Sequence, residues 1–101
     1  MKEVSNHDEL LQAMQNKLFL FVHTRFCGTC QLARKMLVTI EEKANQDIFY
    51  ELNAAFFPEF MQEQKVTSVP CMLIISNGKV KERIYAFQSV QHIFRTISVY
   101  I

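Results

Sequence analysis

Two cysteines separated by two residues, Cys27 and Cys30, are the side chains of this sequence best suited to covalent chemistry. They follow an apolar run from Leu18 to Val22, which predicts a buried strand. The segment after them carries apolar residues near helical period. Cys27 should therefore lie at a helix N-terminus, where unpaired backbone N–H groups and the helix dipole favour a thiolate. Cys30 should lie one turn further on, close enough to form a disulfide.

This placement predicts thiol–disulfide exchange. Cys27, the more exposed sulfur, would attack a substrate disulfide as a thiolate and form a mixed disulfide. Cys30, the more buried sulfur, would then attack Cys27 and release the reduced substrate. Because both thiols belong to one helical turn, the second step is intramolecular and has a high effective concentration.

Length and composition narrow the class of protein. A chain of 101 residues, half of them hydrophobic, predicts one compact domain over residues 1–101. The net charge of +1 gives no reason to expect a nucleic acid or an anionic membrane as partner. The polar first residues and the short apolar runs predict a cytoplasmic protein. Three cysteines, two of them in a C-x-x-C, indicate redox or metal chemistry in such a compartment.

Apolar periodicity and turn signals give the order of elements that must position the cysteines. We predict helices over Asn6–Gln15, Gly28–Asn45, Pro58–Gln64 and Ser89–Ser98. We predict strands over Leu18–Thr24, Ile48–Asn53, Cys71–Ile75 and Lys79–Tyr85, with a short one over Lys2–Val4. Asn77-Gly78 is a strong signal for an antiparallel hairpin between the last two long strands. The fold class is therefore α/β, a mixed central sheet of four to five strands with helices on both faces.

Three motifs together resemble the thioredoxin family. They are Phe26-Cys27-Gly28-Thr29-Cys30 after a strand, Ser68-Val69-Pro70 before a strand, and Ser76-Asn77-Gly78-Lys79 in the hairpin. Their order and spacing cover nearly the whole chain and imply a thioredoxin fold. The Gly-Gly signal that usually follows Val-Pro in glutaredoxins is absent.

The resemblance implies a substrate-binding surface beside the cysteines. It implies a cis Val69–Pro70 bond, which would present the Val69 backbone to an extended substrate. The residues implied to contact the substrate are Phe26, Gly28, Thr29, Val69 and Pro70. Without the resemblance, Pro70 would be only a residue that begins a strand.

Departures from the family pattern raise the question of the proton acceptor. The family's buried Asp, six residues before the first cysteine, falls on Phe21, and the Lys that faces it falls on Glu51. The usual Trp before the first cysteine is Phe26. Glu51 could replace the missing base, and the simpler interpretation is a solvated carboxylate on a strand face.

Three further residues could modulate the site. Cys71 directly follows Pro70, and is either a core cysteine or a third thiol for regulatory oxidation or metal binding. His23 could tune Cys27, act as a ligand, or be an exposed strand-end histidine. Arg25 should favour the Cys27 thiolate by its charge and could select docking partners, or could be a solvated loop residue.

We therefore predict a thiol–disulfide oxidoreductase that reduces protein disulfides. The resemblance implies electrons from a flavoprotein of the thioredoxin-reductase type, and no cofactor bound to the chain itself. One alternative is a zinc or iron–sulfur module that uses Cys27, Cys30, Cys71 and His23. Another is an adaptor on the same fold with weak catalysis.

Overall fold

The computed structural model describes residues 1–101 as one five-stranded mixed sheet with helices on both faces. The strands are β1 (Lys2–Glu3), β2 (Leu18–His23), β3 (Phe49–Asn53), β4 (Cys71–Ser76) and β5 (Lys79–Ile84). The helices are α1 (His7–Met14), α2 (Gly28–Ala44), α3 (Pro58–Glu63) and α4 (Val90–Ser98). A single 3-10 turn, Ala54–Phe56, follows β3. None of the helices has the length and hydrophobicity that crossing a bilayer requires.

Strand β2 is central in the order β1-β3-β2-β4-β5, as its continuous apolar run predicts. It pairs parallel with β3 and antiparallel with β4, and β5 pairs antiparallel with β4. The C-terminal ends of β2, β3 and β5 therefore meet the N-terminal end of β4 at one edge of the sheet. The loop that carries Cys27 leaves β2 at this edge.

The sheet separates two hydrophobic layers because successive strand residues alternate between its faces. On one face, Leu10 of α1 and Phe60 of α3 pack with Leu20 of β2. On the other face, Leu37 of α2 and Ile97 of α4 pack with a second set of strand side chains. Helix α2 is thereby held against the sheet along its length, which fixes its N-terminus beside the end of β2.

A buried carboxylate ties the C-terminal half of α2 to the start of β3. Glu41 accepts hydrogen bonds from the backbone N–H groups of Ile48 and Phe49, at 2.8 and 3.0 Å. These two donors lie just before and at the first residue of β3, and a buried backbone donor without a partner is costly. Helix α2 ends at Asn45, whose φ of 55° is the left-handed conformation common at helix ends.

The predicted α/β fold and element order are confirmed, and no predicted bound differs from the observed one by more than one residue. The hairpin forms at Asn77 and Gly78, both with positive φ. Glycine adopts such a φ without strain. The sequence interpretation missed the 3-10 turn at Ala54–Phe56, which lacks any apolar period and is closed by the Asn53 side chain accepting from the Ala55 N–H at 3.0 Å.

Candidate active site

Cys27 is the N-cap residue of α2, in extended conformation. Its carbonyl accepts the first helical hydrogen bond, from the Gln31 N–H at 3.2 Å. Its Sγ accepts from the Cys30 N–H at 3.1 Å, as serine or aspartate oxygens do at other helix starts. Thr29 Oγ1 lies 3.4 Å from the same sulfur. Donors of this kind stabilise a negatively charged sulfur more than a neutral one.

Cys30 lies one turn along α2 and faces the sheet. The two cysteines form a disulfide, with their Cα atoms 5.2 Å apart. Cys30 is 2% exposed, whereas Cys27 is half-buried. A disulfide partner can therefore approach Cys27 and not Cys30 from solvent.

The substrate-facing residues predicted from the resemblance gather at this edge of the sheet. Phe26 is 97% exposed and precedes Cys27 directly. Gly28 and Thr29 are exposed in the first turn of α2. Val69 and Pro70 are half-buried just before β4, and the peptide bond between them is cis.

Glu51 is not a solvated carboxylate, so that interpretation of the sequence is wrong. It is 8% exposed and accepts from the Arg34 guanidinium at both oxygens, Nε to Oε1 at 3.0 Å and Nη2 to Oε2 at 2.9 Å. Glu51 points to the α2 face because it alternates with Leu52, which packs on the opposite face. Arg34 follows Cys30 by four residues, so this ion pair lies one helical turn below the buried sulfur.

His23 lies beside the Glu51–Arg34 ion pair. Its Nε2 lies 3.4 Å from Glu51 Oε1, in a contact that lacks hydrogen-bond geometry, and its ring stacks on Phe21 with centroids 5.5 Å apart. The half-buried ring is therefore not the exposed strand-end histidine that the sequence allowed.

The two neighbours of Glu51 determine its protonation. His23 and the Arg34 guanidinium hold the pKa of Glu51 at about 2, well below its ordinary 4.5, although burial acts in the opposite direction. We hold Arg34 chiefly responsible, because it is always charged and makes two well-directed hydrogen bonds. A carboxyl group with so low a pKa accepts a proton poorly near neutral pH, which argues against Glu51 as a substitute base.

Cys71 is a core cysteine. It is 0% exposed, and burial raises the pKa of its thiol to about 11. It pairs with Val22 and packs in the layer beneath α1 and α3, on the opposite face of the sheet from α2. Its burial and its raised pKa favour the core cysteine over a third reactive thiol beside the Cys27–Cys30 pair.

The four residues of the metal hypothesis, Cys27, Cys30, Cys71 and His23, do not assemble into a site. No three His, Cys, Asp or Glu side chains converge closely enough to hold an ion. Arg25 is exposed in the loop before Cys27, where it can meet a partner.

Two residues of the site escaped sequence reasoning. Arg34 pairs with Glu51, and its spacing of four residues from Cys30 is a signal that could have placed it on the same helix face. Phe56 is 74% exposed beside the loop of Phe26, in a groove of about 290 Å³. No local pattern marks it, because its position depends on the 3-10 turn.

Fold and site together define a class: an α/β protein that carries a disulfide-forming cysteine pair at the N-terminus of a helix, at one edge of a mixed sheet. The thioredoxin family model matches residues 1–99. The chain belongs to the thioredoxin family, and its cysteine pair supports thiol–disulfide oxidoreductase activity.

Relatives agree with this assignment. The chain is 41% identical over 97 residues to thioredoxin-like protein YusE of Bacillus subtilis, covering 96% of this chain and 91% of that protein. It is 29% identical over 66 residues to thioredoxin-1 of Saccharomyces cerevisiae, 64% of each. It also resembles a solved thioredoxin of Plasmodium falciparum, with TM-score 0.84, 16% identity and complete coverage of both chains. This last similarity shows the fold alone.

Proposed function

We propose that this protein reduces disulfides of protein substrates, with Cys27 as nucleophile and Cys30 as resolving thiol. The observation that carries the proposal is the contrast between the two sulfurs. The half-buried Cys27 Sγ accepts a backbone N–H at the start of α2, and its partner sulfur is closed to solvent. The accessible sulfur is thus the one whose thiolate the helix stabilises.

The exchange transfers two electrons to the substrate. The Cys27 thiolate attacks one sulfur of the substrate disulfide, forms a mixed disulfide and displaces the other sulfur as a thiolate that takes up a proton. The Cys30 thiol then loses its proton and attacks Cys27 Sγ. The Cys27–Cys30 disulfide forms, and the second substrate sulfur leaves as a thiol.

Substrate contacts come from the residues around Cys27. Phe26, Gly28 and Thr29 would meet the substrate on one side of the sulfur, and the backbone of Val69 and Pro70 on the other. This proposal is supported by their common position at one edge of the sheet. Extended backbone pairing beside Val69 would hold the substrate disulfide in line with Cys27 Sγ.

Renewal of the dithiol needs an external two-electron donor. We propose a flavoprotein of the thioredoxin-reductase type in a cytoplasmic setting, where other reductants keep thiols reduced. Thioredoxin family membership supports a redox partner in general. A coupled assay with NADPH and a purified reductase tests it, and absence of any NADPH oxidation would exclude that donor.

Cysteine variants test the assigned roles. Cys27→Ser should abolish turnover of a protein disulfide, and Cys30→Ser should accumulate a mixed disulfide on Cys27, identified by peptide mass. Cys71→Ala is the matched control and should keep turnover. Full activity of Cys27→Ser would contradict the assignment. Stoichiometric metal in protein purified without oxygen would instead favour the metal-binding alternative.

A further inference from the structure

A small groove opens beside Cys27 between two exposed phenylalanines. Phe26 and Phe56 form its sides, and its volume is about 290 Å³. The remaining lining residues are Thr24, Arg25, Asn53 and Ala55. Phe26 is adjacent to Cys27 in the chain, so the groove begins one residue before the reactive cysteine. Two large aromatic side chains that are exposed to solvent next to a reactive cysteine indicate a surface that a binding partner covers.

The charge around the site has one sign. Four loop segments lie at the same edge of the sheet as the disulfide: residues 24–27, 54–57, 65–70 and 85–89. They contain Arg25 and Lys65, both exposed, and no aspartate or glutamate. This rim therefore attracts acidic groups and repels basic ones.

No carboxylate lies within ion-pair distance of Arg25. Glu51 is paired with Arg34 beneath the site. Glu9 is engaged at the start of α1, where it accepts from the Ser5 N–H at 2.9 Å. Glu59, in the first turn of α3, follows Phe56 by three residues. The side of the groove formed by Arg25 is thus the side on which a partner's acidic group is favoured.

We propose that the groove between Phe26 and Phe56 receives an apolar side chain of the substrate protein, while Arg25 pairs with an acidic residue next to it. The inference rests on the proposed function and specifies its substrate class. Preferred disulfides are those whose reactive cysteine is followed or preceded by an apolar residue with a neighbouring Asp or Glu. The groove begins at Phe26, the residue before the reactive cysteine, so docking and exchange would occur in one encounter.

Charge reversal at Arg25 provides a direct test. Two quenched fluorescent peptide disulfides would have the same leucine beside the cysteine and differ only in Glu or Lys at the next position. Second-order rate constants would be measured with the reduced protein. Wild type should prefer the Glu peptide several-fold, the size expected for a solvent-exposed ion pair of about 1 kcal/mol. Arg25→Glu should invert the preference, and added salt should diminish it.

The ratio of the rate constants for the Glu and Lys peptides reports on docking, because any change in the reactivity of the Cys27 thiolate cancels in it. Arg25 also adjoins Cys27, so its replacement changes the thiolate fraction, and this change affects both peptides equally. Lys43→Glu, an equal charge change in the last turn of α2, is the matched control and should keep the wild-type preference. Phe56→Ser should lower the rate constants for reduction of both peptides and leave their ratio unchanged. It should not lower the rate constant for reduction of a small neutral disulfide.

The outcomes separate this inference from the proposed function. If the reduced protein attacks no disulfide at all, the function itself fails. If it reduces the small neutral disulfide, and Arg25→Glu leaves the ratio for the two peptides as it was, exchange stands and the docking inference is wrong. Equal rates of Phe56→Ser and wild type on both peptides would likewise exclude the groove.

Discussion

Arg34 binds both oxygens of Glu51, at 3.0 and 2.9 Å, and so joins helix α2 to strand β3 one turn below Cys30. Glu51 stands at the position of the family's usual lysine, and Arg34 stands neither there nor at the position of the family's buried aspartate. Here Phe21 occupies the place of the aspartate, and it is buried beside the pair. The negative charge of Glu51 is therefore balanced by the Arg34 guanidinium, which does not release its proton.

Glu51→Gln should destabilise the protein at neutral pH. The substitution removes a bidentate bond and leaves Arg34 partly buried without its partner, at a cost of about 1–3 kcal/mol. Urea unfolding at pH 7 measures this difference. Glu42→Gln, which changes the same side chain at an exposed position of α2, is the control and should lie within about 0.5 kcal/mol of wild type.

The same substitution should change how stability depends on pH. The pKa of Glu51 is lowered from 4.5 to about 2 on folding, so its contribution is fully present above pH 4.5 and is lost as the pH falls through about 2. Wild type should therefore lose its advantage over Glu51→Gln across this interval. An advantage that persists undiminished below pH 2, measured by unfolding of both variants, would show that Glu51 does not titrate in this way.

Glu51→Gln should also keep the shape of the pH profile of thiol exchange between pH 5 and 9. A carboxylate with a pKa of about 2 takes up no proton in that interval, so removing it removes no proton acceptor. The measurement is the single-turnover rate of the reduced protein with a small disulfide. Disappearance of an inflection that wild type shows would identify Glu51 as the base after all.

Cys71 should resist alkylation in the folded, reduced protein. Burial raises the pKa of its thiol to about 11, so the reactive thiolate is scarce at neutral pH, and no path leads to it from solvent. Mass spectrometry after brief treatment with iodoacetamide should find label on Cys27 and none on Cys71 until denaturant is added. Rapid native labelling of Cys71 would mean that β4 opens readily.

Glu41→Ala should destabilise the protein at the junction between α2 and β3, and by more than a substitution at an exposed position of the same helix. It leaves the N–H groups of Ile48 and Phe49 without an acceptor, at a cost of about 2–4 kcal/mol. Thermal and urea unfolding would measure it, with Glu42→Ala as control. A Glu41→Ala protein as stable as Glu42→Ala would show that water replaces the carboxylate.

The sequence by itself determined the chemistry and the order of elements. Local signals are sufficient for these: an apolar run before a C-x-x-C, helical spacing after it, and Asn77-Gly78 between two strands. A helix N-terminus stabilises a thiolate through groups within its own first turn, so the role proposed for Cys27 depends on its neighbours in the chain.

Only the tertiary structure decided the surroundings of the sulfurs. Arg34 and Glu51 are 17 residues apart, and their meeting depends on how α2 packs on the sheet. The face taken by Cys71 depends on register, because β4 is apolar on both sides and its pattern does not distinguish them. Phe56 lines the same groove as Phe26 because of a turn that has no apolar periodicity. Contacts between distant segments depend on how those segments pack together, and the residue types of one segment alone do not determine that packing.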